Sequence, residues 1–314
     1  MVERKDKIGK QLSGGIKFLF KNNGIELVKG KVTKIESGKV NVLTETGDEN
    51  ELCAEDIIVA TGSRSSKPPV FKFDGDKIIT SEEALQLKQV PGKLLIVGGG
   101  AIGLEFAYIF SALGADVSVI EEMEHLLPGE DAEIATILKQ SLIKKKINVY
   151  TGVRVDSVEK VEDGIAAKLS SGDLIQADKA LIAVGRIPNT GGLGLEEMNL
   201  LNERGYINVD DEMKTTAAGI YAIGDAIGGM MLAHKASAEG IVAAENAAGG
   251  GRKMEYRTVP RCIFAKPEVA AVGISEKDAI EGREEIKTGR FPFSALGKAR
   301  AAGDTEGMVK IVTD

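Results

Sequence analysis

Apolar residues recur along this chain in two rhythms, and the switch between them lays out its elements. Ile8, Leu12, Ile16 and Leu19 fall at intervals of three and four, as do Ile134, Leu138 and Leu142, which predicts two amphipathic helices. A short apolar run follows each, residues 25–28 and 147–150, expected to be a strand. Alternating stretches come next, punctuated at Ser37-Gly38 and Thr46-Gly47-Asp48 in the first series and at Asp163-Gly164 and Ser171-Gly172-Asp173 in the second. Both series close on a continuous apolar run that ends in glycine, at Gly62 and at Gly185. The same order is thus written twice, which predicts two related α/β units.

The second series has a lead-in that the first lacks. The strand-like run Lys93-Leu94-Leu95-Ile96-Val97 passes into Gly98-Gly99-Gly100-Ala101-Ile102-Gly103, then a helical stretch over residues 104–113, then a second strand over 116–120 that ends on Glu121. Buried strand, GxGxxG, helix, strand and acid in that order form a dinucleotide-binding fingerprint. Gly98 allows the tight turn, Gly100 lets backbone amides approach a pyrophosphate, and Gly103 permits close packing of helix on strand. A carboxylate at Glu121 accepts hydrogen bonds from a ribose diol and repels a 2′-phosphate, so NAD is expected rather than NADP. No such lead-in precedes the first series, so the first unit is expected to be an incomplete Rossmann-like domain with unpaired strands and uncovered apolar faces. A small domain of unrelated build is the alternative.

Further on, Ile220-Tyr221-Ala222-Ile223-Gly224-Asp225 reads as a short buried strand that delivers one carboxylate at its end. Met231-Leu232-Ala233-His234 then opens a helix rich in small residues, whose N-terminal amides can face negative charge. His234 is as well explained by a plain surface role as by chemistry.

Composition narrows the function classes. A formal net charge of −7 over 314 residues, with no basic run, disfavours nucleic acid and anionic membranes as partners. No apolar run nears the length that spans a bilayer, and a soluble cytoplasmic protein is expected. The 38 glycines fit the many tight turns of nucleotide-binding α/β folds. Cys53 and Cys262 stand apart and are expected to be reduced structural thiols, and two histidines are too few for a histidine-based metal site.

The Ala60-Thr61-Gly62 end, the Ala183-Val184-Gly185-Arg186-Ile187-Pro188-Asn189 segment, the Tyr221–Asp225 strand and Met231–His234 together resemble flavoprotein disulfide reductases with two dinucleotide domains. Leu232-Ala233-His234-Lys235-Ala236 and the 291–300 segment are most similar to the dihydrolipoamide dehydrogenase family. That resemblance covers essentially the whole chain. It implies two Rossmann-like domains and the start of an α+β dimerisation domain: residues 1–75 and 196–254 on the FAD side, 76–195 for NAD, and 255–314 at a homodimer interface.

It also implies FAD contacts at Val32, Thr61, Gly62, Ser63, Gly224, Asp225, Met231, Leu232, Ala233 and His234. The NAD contacts it implies are Gly98, Gly99, Gly100, Ala101, Ile102, Gly103, Leu104, Glu105, Glu121, Val155 and Gly185, with Glu105 near the nicotinamide and the flavin. In that family a disulfide of two cysteines four residues apart and a C-terminal histidine–glutamate base oxidise dihydrolipoamide on a lipoyl carrier. This sequence has neither, so the chain alone is expected to turn over little lipoamide. Other reductases of the same architecture, of mercuric or glutathione type, and a non-catalytic NAD-binding module remain as alternatives.

Overall fold

A computed structural model describes residues 1–282 and 285–313. The chain divides into two compact units, residues 1–64 with 186–256 and residues 65–185 with 257–314. The first unit opens with helix α1 (Val2–Asn22), in which no residue is buried. Its apolar stripe of Ile8, Leu12, Ile16 and Leu19 is 43–66% exposed, so the expected amphipathic helix forms but its face covers nothing among the described residues. The strand expected at residues 25–28 does not form. A strand needs ladder partners for its amides and carbonyls, and the described part of this unit offers that segment none. Next, β1 (Gly30–Glu36), β2 (Lys39–Thr44) and β3 (Glu49–Cys53) build an antiparallel meander, with Thr33 bulged out of the β1–β2 ladder between Val32 and Lys34. Strands β4 (Ile57–Val59) and β5 (Ser63–Ser65) complete this passage of the chain.

The second unit begins with β6 (Ile78–Ile79) and the single turn α2 (Ser81–Ala84). It continues through β7 (Lys93–Val97), α3 (Ala101–Ala112), β8 (Asp116–Glu121), α4 (Ala132–Lys144) and β9 (Asn148–Thr151). A second meander follows, β10 (Val155–Val161), β11 (Gly164–Leu169) and β12 (Leu174–Ala177), before β13 (Lys179–Ile182). The parallel sheet runs β6-β13-β7-β8-β9. Strand β7 is central, and this explains why its apolar residues are continuous rather than alternating: Leu94 and Ile96 pack with Leu104, Ala107 and Leu138 on one face, while Leu95 and Val97 meet Ile165, Ala167 and Leu169 of the meander on the other. Asp131 caps α4, accepting hydrogen bonds from Glu133 N at 3.0 Å and Ile134 N at 3.3 Å. The second meander carries a bulge too, at Asp156 between Val155 and Ser157.

The chain then returns to the first unit with β14 (Arg186–Pro188), β15 (Ile220–Ala222) and α5 (Ala233–Ala247). Strand β15 pairs in parallel with β4, Ile220 opposite Ile57 and Ala222 opposite Val59. These residues share a core with Ile35, Leu195, Leu200 and Ile207. Among the described residues β4 has no ladder partner besides β15, whereas β13, its counterpart in the second unit, is flanked by β6 and β7.

The last stretch belongs to the second unit: β16 (Arg261–Ile263) pairs with β17 (Val269–Ala271), α6 (Glu276–Gly282) follows, and β18 (Lys287–Pro292), α7 (Gly297–Ala302) and β19 (Met308–Thr313) close it, with β18 and β19 antiparallel. Lys310, whose side chain is 7% exposed, ties this stretch to the start of α4 through Asp131 at 2.7 Å, Glu133 at 3.2 Å and Glu276 at 2.5 Å.

Candidate nucleotide-binding sites

In the second unit the glycine loop lies at the carboxyl end of β7. Gly98 has φ +110°, and a Cβ there would fall 2.3 Å from the Ala183 carbonyl oxygen, so only glycine lets β7 turn this close to β13. A Cβ on Gly103 would lie 2.0 Å from the Gly98 carbonyl oxygen, which is the close helix–strand contact expected of the third glycine. Gly100 differs from both: nothing lies within 4 Å of where its Cβ would stand. It is the N-cap of α3, no side chain caps that terminus, and no acid occupies the first turn. The amides of Ala101, Ile102 and Gly103 therefore open a helix end suited to phosphate.

Glu121 sits at the end of β8, 8% exposed. Its Oε2 accepts from Gly99 N at 2.6 Å and its Oε1 from Met123 N at 2.8 Å. Each oxygen keeps a further lone pair, so the carboxylate is fixed beside the loop and still able to accept from a diol. Leu104 is fully buried in the core, and its amide donates to the Gly100 carbonyl at 3.0 Å, so it supports the loop from behind. Glu105 Oε1 accepts from Phe264 N at 3.0 Å. Val155 is buried next to the Asp156 bulge, and Gly185, at φ +127°, has open space where a Cβ would stand.

In the first unit, polar contacts gather the predicted residues. Ser63 Oγ donates to Asp225 Oδ2 at 2.5 Å and accepts from Arg186 Nε at 2.7 Å, while Arg186 Nη2 donates to the Ser63 carbonyl at 2.8 Å. Arg186 Nε lies 3.8 Å from Asp225 Oδ2. Asn189 holds the preceding residues, its amide donating to the Gly62 carbonyl at 2.9 Å and its side chain to the Thr61 carbonyl at 3.1 Å. Val32 packs partly buried against the core beside the Thr33 bulge. Leu232 is the N-cap of α5, which carries no side-chain cap and no acid in its first turn, and Ala233 and His234 are exposed on that first turn.

Sequence reasoning gave no role to Arg186, Asn189, Lys235 or Tyr256, and it missed Glu239. Lys235 and Glu239 are 1% and 0% exposed and pair at 3.0 Å, one helical turn apart on the buried face of α5. The available signal was two opposite charges four apart on a helix face otherwise lined by Val242, Ala243 and Asn246. Tyr256 donates to Glu239 Oε1 at 2.8 Å; burial and that carboxylate both push the phenol above its ordinary pKa. Cys53 and Cys262 are both free thiols. Among the described residues no cluster of three or more His, Cys, Asp or Glu could hold a metal, and no helix is long and apolar enough to cross a membrane.

A strand, glycine loop and uncapped helix backed by a buried acid, together with a second, related unit, define a two-dinucleotide oxidoreductase. The chain belongs to the pyridine nucleotide-disulphide oxidoreductase family: residues 2–240 match that family and residues 259–314 match its dimerisation domain. Several of its curated relatives are dihydrolipoyl dehydrogenases. The one from Chlorobaculum tepidum is 41% identical over 100% of this chain and 68% of its own length, and one from Bacillus subtilis is 38% identical over 99% and 69%. Among solved structures, LpdA from Mycobacterium tuberculosis superposes with a TM-score of 0.92 at 30% identity, covering 99% of this chain and 70% of that one. The HOCl-induced flavoprotein disulfide reductase RclA from Escherichia coli gives 0.89 at 29%, covering 100% and 72%. Members of the family use FAD and NAD.

Proposed function

We propose that this chain supplies the NAD-binding half and the flavin-facing part of a dihydrolipoamide-oxidising enzyme, acting on the dithiol of a lipoyl-carrier protein in the cytoplasm as a homodimer. In this reading residues 76–195 form the NAD domain, 1–75 and 196–254 the FAD side, and 255–314 the interface, of which 283, 284 and 314 lie outside the described residues. When bound, FAD supplies the two-electron relay between a dithiol and NAD.

The observation that carries the proposal is the Glu121 carboxylate, held beside Gly99 at the edge of an open, uncapped glycine loop. Gly98 to Glu105, with Val155 and Gly185, would hold the dinucleotide. The amides of Ala101, Ile102 and Gly103 at the start of α3 would face its phosphates, and Glu121 would accept from the adenosine ribose while its charge excludes a 2′-phosphate. On the other side, Ser63 and Arg186 hold Asp225 for the ribityl chain, and Val32, Thr61, Gly62, Gly224 and Met231 to His234 complete the set. The first-turn amides of α5 are the group there that favours negative charge. The sequence contains no pair of cysteines four residues apart, so lipoamide turnover by the chain alone is expected to be low.

The test is a pair of titrations followed by a spectrum. NADH must bind far more tightly than NADPH; equal affinities would defeat the role of Glu121. The visible absorption spectrum after incubation with FAD and desalting then decides between two readings. Retained flavin bands support the redox enzyme. A colourless chain that binds NADH supports a non-catalytic NAD-binding module.

A further inference from the structure

The charged pair buried in α5 has no part in either nucleotide site as described, and its backbone partners outside the helix are all on one turn. Glu239 Oε2 accepts from the Gly224 amide at 2.8 Å. Lys235 Nζ donates to the Gly228 carbonyl at 3.1 Å and to the Gly224 carbonyl at 3.4 Å, and its remaining hydrogen faces Glu239 Oε1. Gly224 and Gly228 bracket a single 3-10 turn, Gly224–Ile227, and both have positive φ, +72° and +78°. Glycine at both ends leaves this turn with little conformational preference of its own. Asp225 is the second residue of the turn.

Burying two charges is a weak way to stabilise a helix, since a well-packed apolar pair serves as well or better. What an apolar pair cannot do is hold a backbone amide and two carbonyls at fixed points. We propose that Lys235 and Glu239 are positioning residues: together they clamp the Gly224–Gly228 turn from within α5 and so aim the Asp225 carboxylate at the flavin. Tyr256, donating to Glu239, is the third member of the clamp. None of the three touches the cofactor in this scheme. The flavin part of the inference rests on the role given to Asp225 above, whereas the clamp itself does not.

The experiment compares the full chain, the double variant K235M/E239L, which leaves no unpaired charge, and V42A, a core truncation in β2 that serves as a control for lost stability. Amide hydrogen exchange is followed over residues 223–229 without FAD, and FAD affinity is measured by quenching of flavin fluorescence. At matched stability, the double variant is expected to exchange about tenfold faster than V42A across that turn, and to bind FAD at least about tenfold more weakly. Exchange equal to that of V42A overturns the clamp. Faster exchange with FAD affinity equal to that of V42A overturns the positioning of Asp225. Should the parent chain take up no FAD, the flavin assignment fails, and the exchange comparison still decides the clamp. If the double variant does not fold, Glu239→Gln, which keeps the shape and gives up the charge, is carried through the same two measurements.

Discussion

Replacing Gly100 and Gly103 by alanine, one at a time, separates what the glycine loop does for the fold from what it does for the ligand. Gly100 has φ −77° and ψ −178°, a conformation open to any residue, and a methyl group there meets nothing. The folded state therefore loses nothing, and the stiffer unfolded chain adds up to about 1 kcal/mol of stability. A pyrophosphate resting on that backbone would be pushed outward and lose at least one charge-assisted hydrogen bond, about 1.5–3 kcal/mol, or roughly 10- to 100-fold in affinity. Gly103→Ala is the opposite case. Its methyl would stand 2.0 Å from the Gly98 carbonyl oxygen and 3.1 Å from the carbonyl carbon, so backbone must move. Overpacking of this kind costs about 1–3 kcal/mol, which lowers the melting temperature by several degrees. Thermal melts and NADH titrations on the same preparations read both effects. A Gly100→Ala protein that melts like the parent and binds NADH equally well would refute the assignment of this loop to the phosphates.

Three further outcomes are expected. Glu121→Gln keeps the shape but turns an NH₂ group towards one of the two amides the carboxylate now accepts, at a cost of about 1–3 kcal/mol; the preference for NADH over NADPH, read by parallel titrations, should fall by about tenfold or more. Ser63→Ala removes the hydroxyl between Asp225 and Arg186 and should weaken FAD by about 2- to 10-fold, measured by flavin fluorescence, with little change in NADH affinity. Glu82 supplies a test in acid: burial alone would raise its pKa, but hydrogen bonds from Thr80 and Ser65 hold it down to about 2 from 4.5. A depressed carboxylate contributes stability above its unfolded value, lost as pH falls from 4.5 towards 2. Because the side chain is exposed, that contribution is about 1 kcal/mol rather than the full shift, so the melting difference between the parent and Glu82→Gln should narrow from pH ~5 to pH ~2.5.

The α/β class and the glycine loop were legible because each rests on a local rule. A continuous apolar run marks a strand buried on both faces, as with Leu94 to Val97, and three glycines at fixed spacing answer to three separate steric demands. The repeat was legible for the same reason, since both meanders keep their turns at matching places. Residues 25–28 misled because a strand is a property of two partners, and apolar content alone does not supply the second. The helix at Val2–Asn22 was read correctly as an element, yet its periodicity could not say whether anything would lie against it. Lys235 and Glu239 escaped because a helix pair of opposite charge ordinarily marks a solvated face, and only the packing of α5 against Gly224 reverses that meaning. Arg186 and Asn189 act through groups brought near by the fold, the Ser63 hydroxyl and carbonyl for one and the Thr61 and Gly62 carbonyls for the other, which no spacing in the sequence encodes.

The two bulges set the course of both meanders. An extra residue stands out of the first ladder at Thr33, and another at Asp156 holds the corresponding place in the second, each just after a valine. A bulge bends the strand that carries it and sharpens its right-handed twist, so each meander is turned at the same point, within the ladder that begins it.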